Sequence, residues 1–301
     1  MGISARGSVP RGATSAAFAA VLLAGGTVAC GEGPVSDSAK EGRPEVTPAA
    51  AVAKAARNSE DIASLRYRIT GTVPERGRLE AEASMRTEPP AMSMQMTTAG
   101  QGEDGRLEIR FVDEVMYVGG SAVAPEKLDG RSWYRADPAV WGRGAVDNDS
   151  HGVLPSQLEG NPAVQSTLLT GSKDLRKKGT ETIDGTRTTH YRGTVTSSGL
   201  RAARGAAADQ ATQERRIESL DQFIALHIDD TLTMDLWIDD DNHTKRFRMR
   251  GDAYDARGGA GGEPLDLTIT FLDVNQPVTI AAPPSEDTAD IAAPADEAPA
   301  G

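Results

Sequence analysis

The clearest pattern in the chain is an alternation of apolar and polar residues, which starts at Tyr67 and recurs in short runs as far as Phe271. Successive side chains of a strand point to opposite faces of a sheet, so each run predicts a strand with one apolar face. Turn-forming pairs such as Asp129-Gly130 and Asp184-Gly185 separate some of the runs and favour an antiparallel meander. The predicted strands lie within 67–73, 79–85, 92–97, 107–111, 115–118, 133–134, 175–183, 188–195, 232–238, 245–250 and 265–271.

Three segments follow a helical period instead. A Thr-Pro start and Ala-rich spacing predict a helix over Thr47–Leu65. The pair Asn161-Pro162, with Asn as the N-cap and Pro at the first helical position, predicts a short helix. A longer helix is predicted over Ala207–Ile228, and its apolar stripe would consist of Ile217, Leu220, Ile224 and Ile228.

These elements together predict one α+β domain with about ten strands and about three helices. So few helices cannot cover one whole apolar face of such a sheet, and that face must be covered. We therefore expect a strongly curved antiparallel sheet, either closed into a barrel or left open as a half-barrel capped by a few helices, and we favour the half-barrel. A cavity beneath the helices would suit an acyl chain, because each buried methylene contributes about 0.8 kcal/mol.

The alternation also identifies the residues that would contact such a ligand. We call these six the ligand-face residues: Met94, Phe111, Met234, Leu236, Leu267 and Ile269. Met94 lies in a run with Met92 and Met96, and flexible methionine side chains suit either an adaptable binding surface or an ordinary core. Trp237 falls on the opposite face of its strand from Leu236.

The N-terminus has the parts of a bacterial lipoprotein signal. Arg6 and Arg11 precede an apolar run of about 14 residues, which is shorter than the roughly 20 residues that span a bilayer. The run ends at Val28-Ala29-Cys30, which fits a lipobox except that Thr27 replaces the usual Leu. We predict cleavage between Ala29 and Cys30 and acylation of Cys30 with fatty acids of the palmitate type. An ordinary cleaved signal, with the cysteine kept as a small buried residue or a free thiol, is the alternative.

Composition and charge then define the remaining segments. The 301 residues carry a formal charge of −12, and removal of residues 1–29 leaves 30 basic and 44 acidic residues, which disfavours nucleic acid and anionic membrane surfaces as partners. A single cysteine excludes an intrachain disulfide and a thiolate zinc cluster. The predicted organisation is a signal peptide at 1–29, a flexible tether at 30–46, the β-rich domain at 47–283 and a disordered Ala/Pro/acidic tail at 284–301.

Several of these segments resemble a known family. The lipobox with its tether, the Ala-rich helix, the meander and the hairpin Lys177–Thr194 are similar to actinobacterial lipoproteins of the LolA-like superfamily, near the LppX/LprG group. The hairpin contains a Gly-x-Glu-x-Ile-Asp-Gly element and Thr189-His190-Tyr191, and the resemblance extends over about residues 48–282. It implies a curved antiparallel sheet whose hydrophobic cavity holds lipids or glycolipids in transit through the cell envelope. The charged loop Arg201–Arg216 and the acidic tail depart from the family pattern.

The chain lacks the common catalytic signatures. It contains no nucleophile elbow, zinc-binding H-E-x-x-H helix, P-loop or dinucleotide-binding fingerprint, so we predict no enzymatic activity, no catalytic residue and no cofactor. The histidines have structural interpretations: His151 in a loop, His190 in a hydrogen-bonded hairpin position, His227 at a helix C-terminus and His243 in a turn. The acidic run Asp239–Asn242 lacks the spacing of an EF-hand loop and predicts a solvated turn without a metal.

The leading hypothesis is a monomeric lipid or glycolipid carrier, anchored through acylated Cys30 on the outer face of the cell membrane. Acyl chains would enter the cavity while the polar head stays at its mouth. The alternative is an envelope sensor or regulator that binds a protein partner through the same fold. A deep closed cavity would favour the carrier, and an exposed edge strand with an apolar groove would favour the sensor.

Overall fold

In the computed structural model, residues 46–74, 77–98, 105–123, 125–136, 162–205, 210–226, 228–253 and 264–290 are described. The first element is helix α1, Pro48–Glu60, which begins as predicted: Thr47 is its N-cap, and the Thr47 hydroxyl accepts a hydrogen bond of 3.2 Å from the Ala50 N–H. The helix ends before the predicted Leu65, because Leu65 belongs to the first strand and pairs with Met85 and Val274 on either side.

Twelve strands form one sheet. They are β1 Ser64–Val73, β2 Gly77–Thr87, β3 Pro90–Thr98, β4 Arg106–Val112, β5 Val115–Gly119, β6 Trp133–Ala136, β7 Arg176–Ile183, β8 Thr186–Thr196, β9 Thr231–Asp239, β10 Thr244–Gly251, β11 Leu265–Val274 and β12 Thr288–Asp290. Their order across the sheet is β12-β6-β5-β4-β3-β2-β1-β11-β10-β9-β8-β7. All neighbours pair antiparallel except β12 and β6, which are parallel. Two consecutive meanders are thus joined where β1 pairs with β11.

The sheet is open among the described strands, with β7 at one edge and β12 at the other. The turn between β7 and β8 has the predicted Asp184-Gly185 pair, with φ of 45° and 80°. Both residues occupy the left-handed region, which matches the twist of a tight hairpin. The predicted α+β class is confirmed, and the half-barrel rather than a closed barrel is the correct alternative.

The middle helices differ from the prediction. The short helix is split into α2, Pro162–Gln165, and a 3-10 helix, Ser166–Gly171, while its proposed N-cap Asn161 lies outside the described residues. The predicted charged loop 201–216 is largely helical, since α3 spans Ser197–Gly205 and α4 spans Gln210–Ala225. The missed start signal is Thr196, whose hydroxyl accepts a hydrogen bond of 3.0 Å from the Gly199 N–H.

The buried stripe of helix α4 differs in part from the predicted one. Leu220 is buried as predicted, and so are Phe223 and, just beyond the helix, Leu226, whereas Ile224 is 50% exposed. Ile228 is buried but lies beyond the helix, where it bridges to Ala253.

The ordered structure continues past the predicted domain end at residue 283. A 3-10 helix, Ser285–Asp287, leads into β12, which pairs with β6 and so adds an edge strand to the sheet. Residues 291–301 of the predicted tail lie outside the described residues.

Candidate ligand-binding face

The strand register places all six ligand-face residues on one face of the sheet. Directly paired residues of antiparallel strands share a face. Leu236 pairs with Phe247, which pairs in turn with Ile269. In the same way, Met249 pairs with both Met234 and Leu267. Across β3, β2, β1 and β11, Met94 pairs with Ala83, Ala83 with Tyr67, and Tyr67 with Phe271. Phe111 pairs with Met92, which lies two residues from Met94 on the same face of β3. The alternation in the sequence therefore assigned this face correctly.

The helices cover the same face. Five of the ligand-face residues, all but Phe111, belong to one core cluster with Val52 and Ala55 of α1, Leu169 of the 3-10 helix, Leu200 of α3 and Phe223 of α4. The six residues are only 0 to 4% exposed, so protein side chains cover them almost completely. A ligand that reaches these residues must therefore displace part of the helical cover, rather than enter a cavity that already lies open beside them.

A buried tyrosine lies near the centre of this face. Tyr67 of β1 pairs with Ala83 on one side and Phe271 on the other, and its side chain is 1% exposed. Burial raises the pKa of its phenol far above the ordinary value, so the hydroxyl is neutral. The alternation in the sequence predicted the position of Tyr67 on this face.

The opposite face of the sheet is polar. A groove of about 280 Å³ lies there, and its polar lining includes Arg68, Glu80, Glu82, Gln95 and Arg106. Charged and amide side chains do not suit an acyl chain, because they would lose their contacts with water. This groove is therefore not a site for the predicted ligand.

The polar face also carries a buried ionic network that the sequence did not reveal. Asp235 of β9 is 1% exposed. Its Oδ1 accepts hydrogen bonds from Arg192 Nε and His190 Nε2, both at 2.6 Å, and its Oδ2 accepts one from Arg250 at 2.6 Å. Burial raises the pKa of the Asp235 carboxyl, but the hydrogen bonds from Arg192, His190 and Arg250 outweigh that effect and hold the pKa below its ordinary value.

His190 is held on every side within this network. Its Nδ1 lies 3.0 Å from Glu181 Oε1, and its ring stacks on Trp237 with centroids 4.4 Å apart. The Trp237 Nε1–H donates to Glu181 Oε2 at 2.9 Å, which places Trp237 on the predicted polar face. Because each ring nitrogen faces a carboxylate oxygen, neither is free to act as a base or a metal ligand. The prediction of a hydrogen-bonded hairpin position is confirmed.

Among the described residues, the remaining candidate groups are not arranged for catalysis or for metal binding. Asp239 Oδ1 accepts hydrogen bonds from the N–H groups of Asp241 and His243, as expected for a hairpin turn. Within the described part of the chain, no three His, Cys, Asp or Glu side chains are grouped to hold a metal. His151, His227 and the predicted processing site at Ala29 and Cys30 lie outside it. The described helices also include none with the length and hydrophobicity that a membrane crossing requires.

Comparison with known proteins gives distant likenesses. No family model matches the chain. A Streptomyces griseus protein, described as an uncharacterized 31.2 kDa protein in the rplA-rplJ intergenic region, is 25% identical over 193 residues. The match covers 63% of this chain and 58% of that protein, so the chain spans less than two thirds of the relative's length.

Among solved structures, the lipoprotein LppX of Mycobacterium tuberculosis aligns with 16% identity and a TM-score of 0.44, over 78% of this chain and 98% of its own. LprF of Mycobacterium bovis aligns with 15% identity and a TM-score of 0.43, over 78% and 96%. The predicted resemblance to the LppX/LprG group is therefore confirmed as a resemblance. At TM-scores below 0.5 these likenesses assign neither a ligand nor an activity to the chain.

Proposed function

We propose that the chain is a cell-envelope lipoprotein that binds a lipid or glycolipid between the apolar face of its sheet and the helices above it, and that it is not an enzyme. The observation that carries this proposal is the extent of the apolar face. It continues across the register from Met94 to Leu236, and four helices and a 3-10 helix cover it.

The composition of the face suits an occupant that can be exchanged. Met94, Met96, Met116, Met234 and Met249 are all buried there, and flexible thioether side chains repack at lower cost than branched ones. The helices contact the face largely through apolar side chains, so an acyl chain could replace those contacts in kind. Burial of a 16-carbon chain would contribute about 12 kcal/mol before the costs of helix displacement and lost motion are subtracted.

The mechanism would be passive. The acyl chains would lie on the ligand-face residues, and the polar head would remain at the boundary of the helical cover. Acylated Cys30 would keep the protein on the outer face of the cell membrane, because two or more acyl chains give stable anchoring whereas one binds only marginally. The tether would keep the carrier near its donor membrane.

The test uses a soluble form that begins at Gly31, purified from an actinobacterial host. Native mass spectrometry would show the bound mass, and an organic extract would identify the lipid. We expect one lipid per protein. A protein that is empty and also takes up no lipid in vitro would contradict the proposal and favour the regulatory alternative, in which the fold binds a protein partner.

A matched pair of variants on one strand locates the site. Ala83 lies on the apolar face of β2 and Ser84 on the polar face, as their partners Met94 and Ser93 show. Ala83→Phe should place a large side chain where the acyl chain would lie and lower the fraction of protein with bound lipid, whereas Ser84→Phe should leave that fraction unchanged. Near-UV circular dichroism would check that both variants keep their tertiary packing, and equal lipid occupancy in two folded variants would argue against this site.

A further inference from the structure

The edge strand β7 lies at the border of the apolar face. The core cluster on that face includes Tyr191 and Val195 of the neighbouring strand β8, but no residue of β7. Every β7 residue except Ile183 is exposed or only partly buried. The apolar core therefore reaches as far as β8 and leaves β7 as an open border of the sheet.

This border carries a dense group of positive charges. The four cations, which we call the basic edge, are all exposed: Lys173, Arg176, Lys177 and Lys178. Lys177 pairs with Tyr191 and so lies on the apolar side of the sheet, whereas Arg176 pairs with Arg192 on the polar side. The basic edge therefore presents charge on both sides of the open border.

The described structure does not neutralise this charge. Three of the four cations, all but Lys177, have no ion-pair partner among the described residues. The one carboxylate within the segment, Asp174, accepts hydrogen bonds from Thr194 and Ser172 instead. With four cations and one carboxylate, residues 173–178 hold a net charge of +3 in a chain whose net charge is −12.

We propose that the basic edge docks on the anionic phospholipid surface of the membrane, so that an acyl chain can pass from the bilayer to the apolar face across the open border. This inference rests on the proposed function and identifies the surface from which the lipid enters. The net negative charge of the whole chain opposes such contact only weakly, because charges farther away than the Debye length of about 8 Å are screened at physiological salt. Each basic residue near an anionic membrane surface strengthens binding about fivefold.

The geometry of β7 favours a membrane over a peptide strand as the partner. The register between β7 and β8 shifts between Lys177 and Gly179, so an irregularity interrupts the strand within the basic edge. Bulges and exposed lysines both hinder the pairing of an edge with another strand. A phospholipid surface needs no strand register, and it can contact cations on both sides of the edge.

The test measures binding to vesicles by flotation. The soluble form from Gly31 is used because an acylated Cys30 would itself bind vesicles, and this form keeps every described residue. Vesicles with about one third phosphatidylglycerol in phosphatidylcholine are compared with vesicles of phosphatidylcholine alone. We expect about hundredfold tighter binding to the anionic vesicles, the effect of three net charges, and the loss of most of this difference at high salt.

A charge reversal locates the contact. Lys178→Glu should weaken binding to the anionic vesicles about 25-fold, because it changes the charge of the basic edge by two units. Arg131→Glu is the matched control, since Arg131 is exposed, undergoes the same change in charge and precedes β6 near the opposite edge of the sheet. It should bind as the wild type does, and circular dichroism would check that both variants are folded.

Equal binding of the wild type to the two kinds of vesicle, or equal losses in the two variants, would overturn docking on a membrane and favour an acidic protein segment as the partner of this edge. Native mass spectrometry of the same samples separates this outcome from the proposed function. A protein that carries lipid but does not distinguish the vesicles would refute the docking alone, whereas one that takes up no lipid would contradict the proposed function and this inference together. The comparison of the two vesicles decides the matter even if Lys178→Glu does not fold.

Discussion

Removal of the negative charge of Asp235 should strongly destabilise the domain. Three donors converge on this carboxylate at 2.6 Å, and two of them belong to arginines that are always charged. Asp235→Asn keeps the size of the side chain but offers one acceptor oxygen in place of two, and it leaves the cations without a countercharge. Breaking a buried ion pair costs about 3–5 kcal/mol, a large share of the roughly 5–15 kcal/mol that stabilises a typical domain.

Urea unfolding followed by circular dichroism would measure this loss. With a slope of about 3 kcal/mol per molar urea, the midpoint should fall by about 1–1.7 M. Asp273→Asn is the matched control, because Asp273 pairs with Arg66 at 3.1 Å but the two side chains are 42% and 54% exposed. Exposed pairs contribute about 0–1 kcal/mol, so the control should hardly change the midpoint. Equal shifts in the two variants would show that burial does not set the strength of the Asp235 network.

The pH dependence of unfolding gives a second test of the Asp235 network, by comparison of the wild type with Asp235→Asn. Folding lowers the pKa of Asp235. Its ionised form therefore contributes its full stabilisation at pH values above about 3.9, the pKa of the carboxyl in the unfolded chain. This contribution is lost as the pH falls through the lower pKa of the folded state. The stability difference between wild type and Asp235→Asn should therefore be constant near neutral pH and shrink below about pH 4. A difference that grows in acid would refute the sign of the shift.

Two further substitutions test other parts of the molecule. Cys30→Ala should release the protein from the membrane fraction without unfolding the domain, as fractionation and circular dichroism would show; a variant that stays membrane-bound would contradict the predicted lipobox. Gly71→Ala should cost about 3 kcal/mol or more in urea unfolding, since Gly71 has φ of 146° and a methyl group there would overlap the Asp266 carbonyl oxygen. Gly185→Ala, with φ of 80° and nothing within 4 Å of the added methyl, is its control and should cost about 1–2 kcal/mol.

The sequence predicted the sheet well because its signal is local. Alternation with a period of two depends only on neighbouring positions, so the six ligand-face residues and Trp237 were assigned to their faces without knowledge of the strand order. The pairing of β1 with β11 joins residues about 200 positions apart, such as Leu65 and Val274, and no local pattern encodes it. The same pairing explains why Leu65, which continues the helical pattern of α1, is in a strand.

The errors in the helices and in the polar face have related causes. Ile224 fits the predicted stripe of α4 but is exposed, because the orientation of that helix is set by its packing through Phe223 and Leu226. The alternation in the sequence predicts that Asp235 is an ordinary outward-facing residue of its strand. Its burial arises only when Arg192 and Arg250 from the two neighbouring strands close over it, a contact between distant parts of the chain. Propensity and alternation do not contain this information.

The two faces of the sheet are held by different kinds of contact. On the polar face, side-chain pairs cross between neighbouring strands: Arg192 and Arg250 with Asp235, Arg248 with Asp266, and Arg66 with Asp273. These pairs and the backbone ladders hold the strands together without the helices. The apolar face is covered by helices that contact it largely through hydrocarbon side chains. Under the proposed function, displacement of a helix by an acyl chain would therefore exchange apolar contacts for similar ones and leave every strand pair intact.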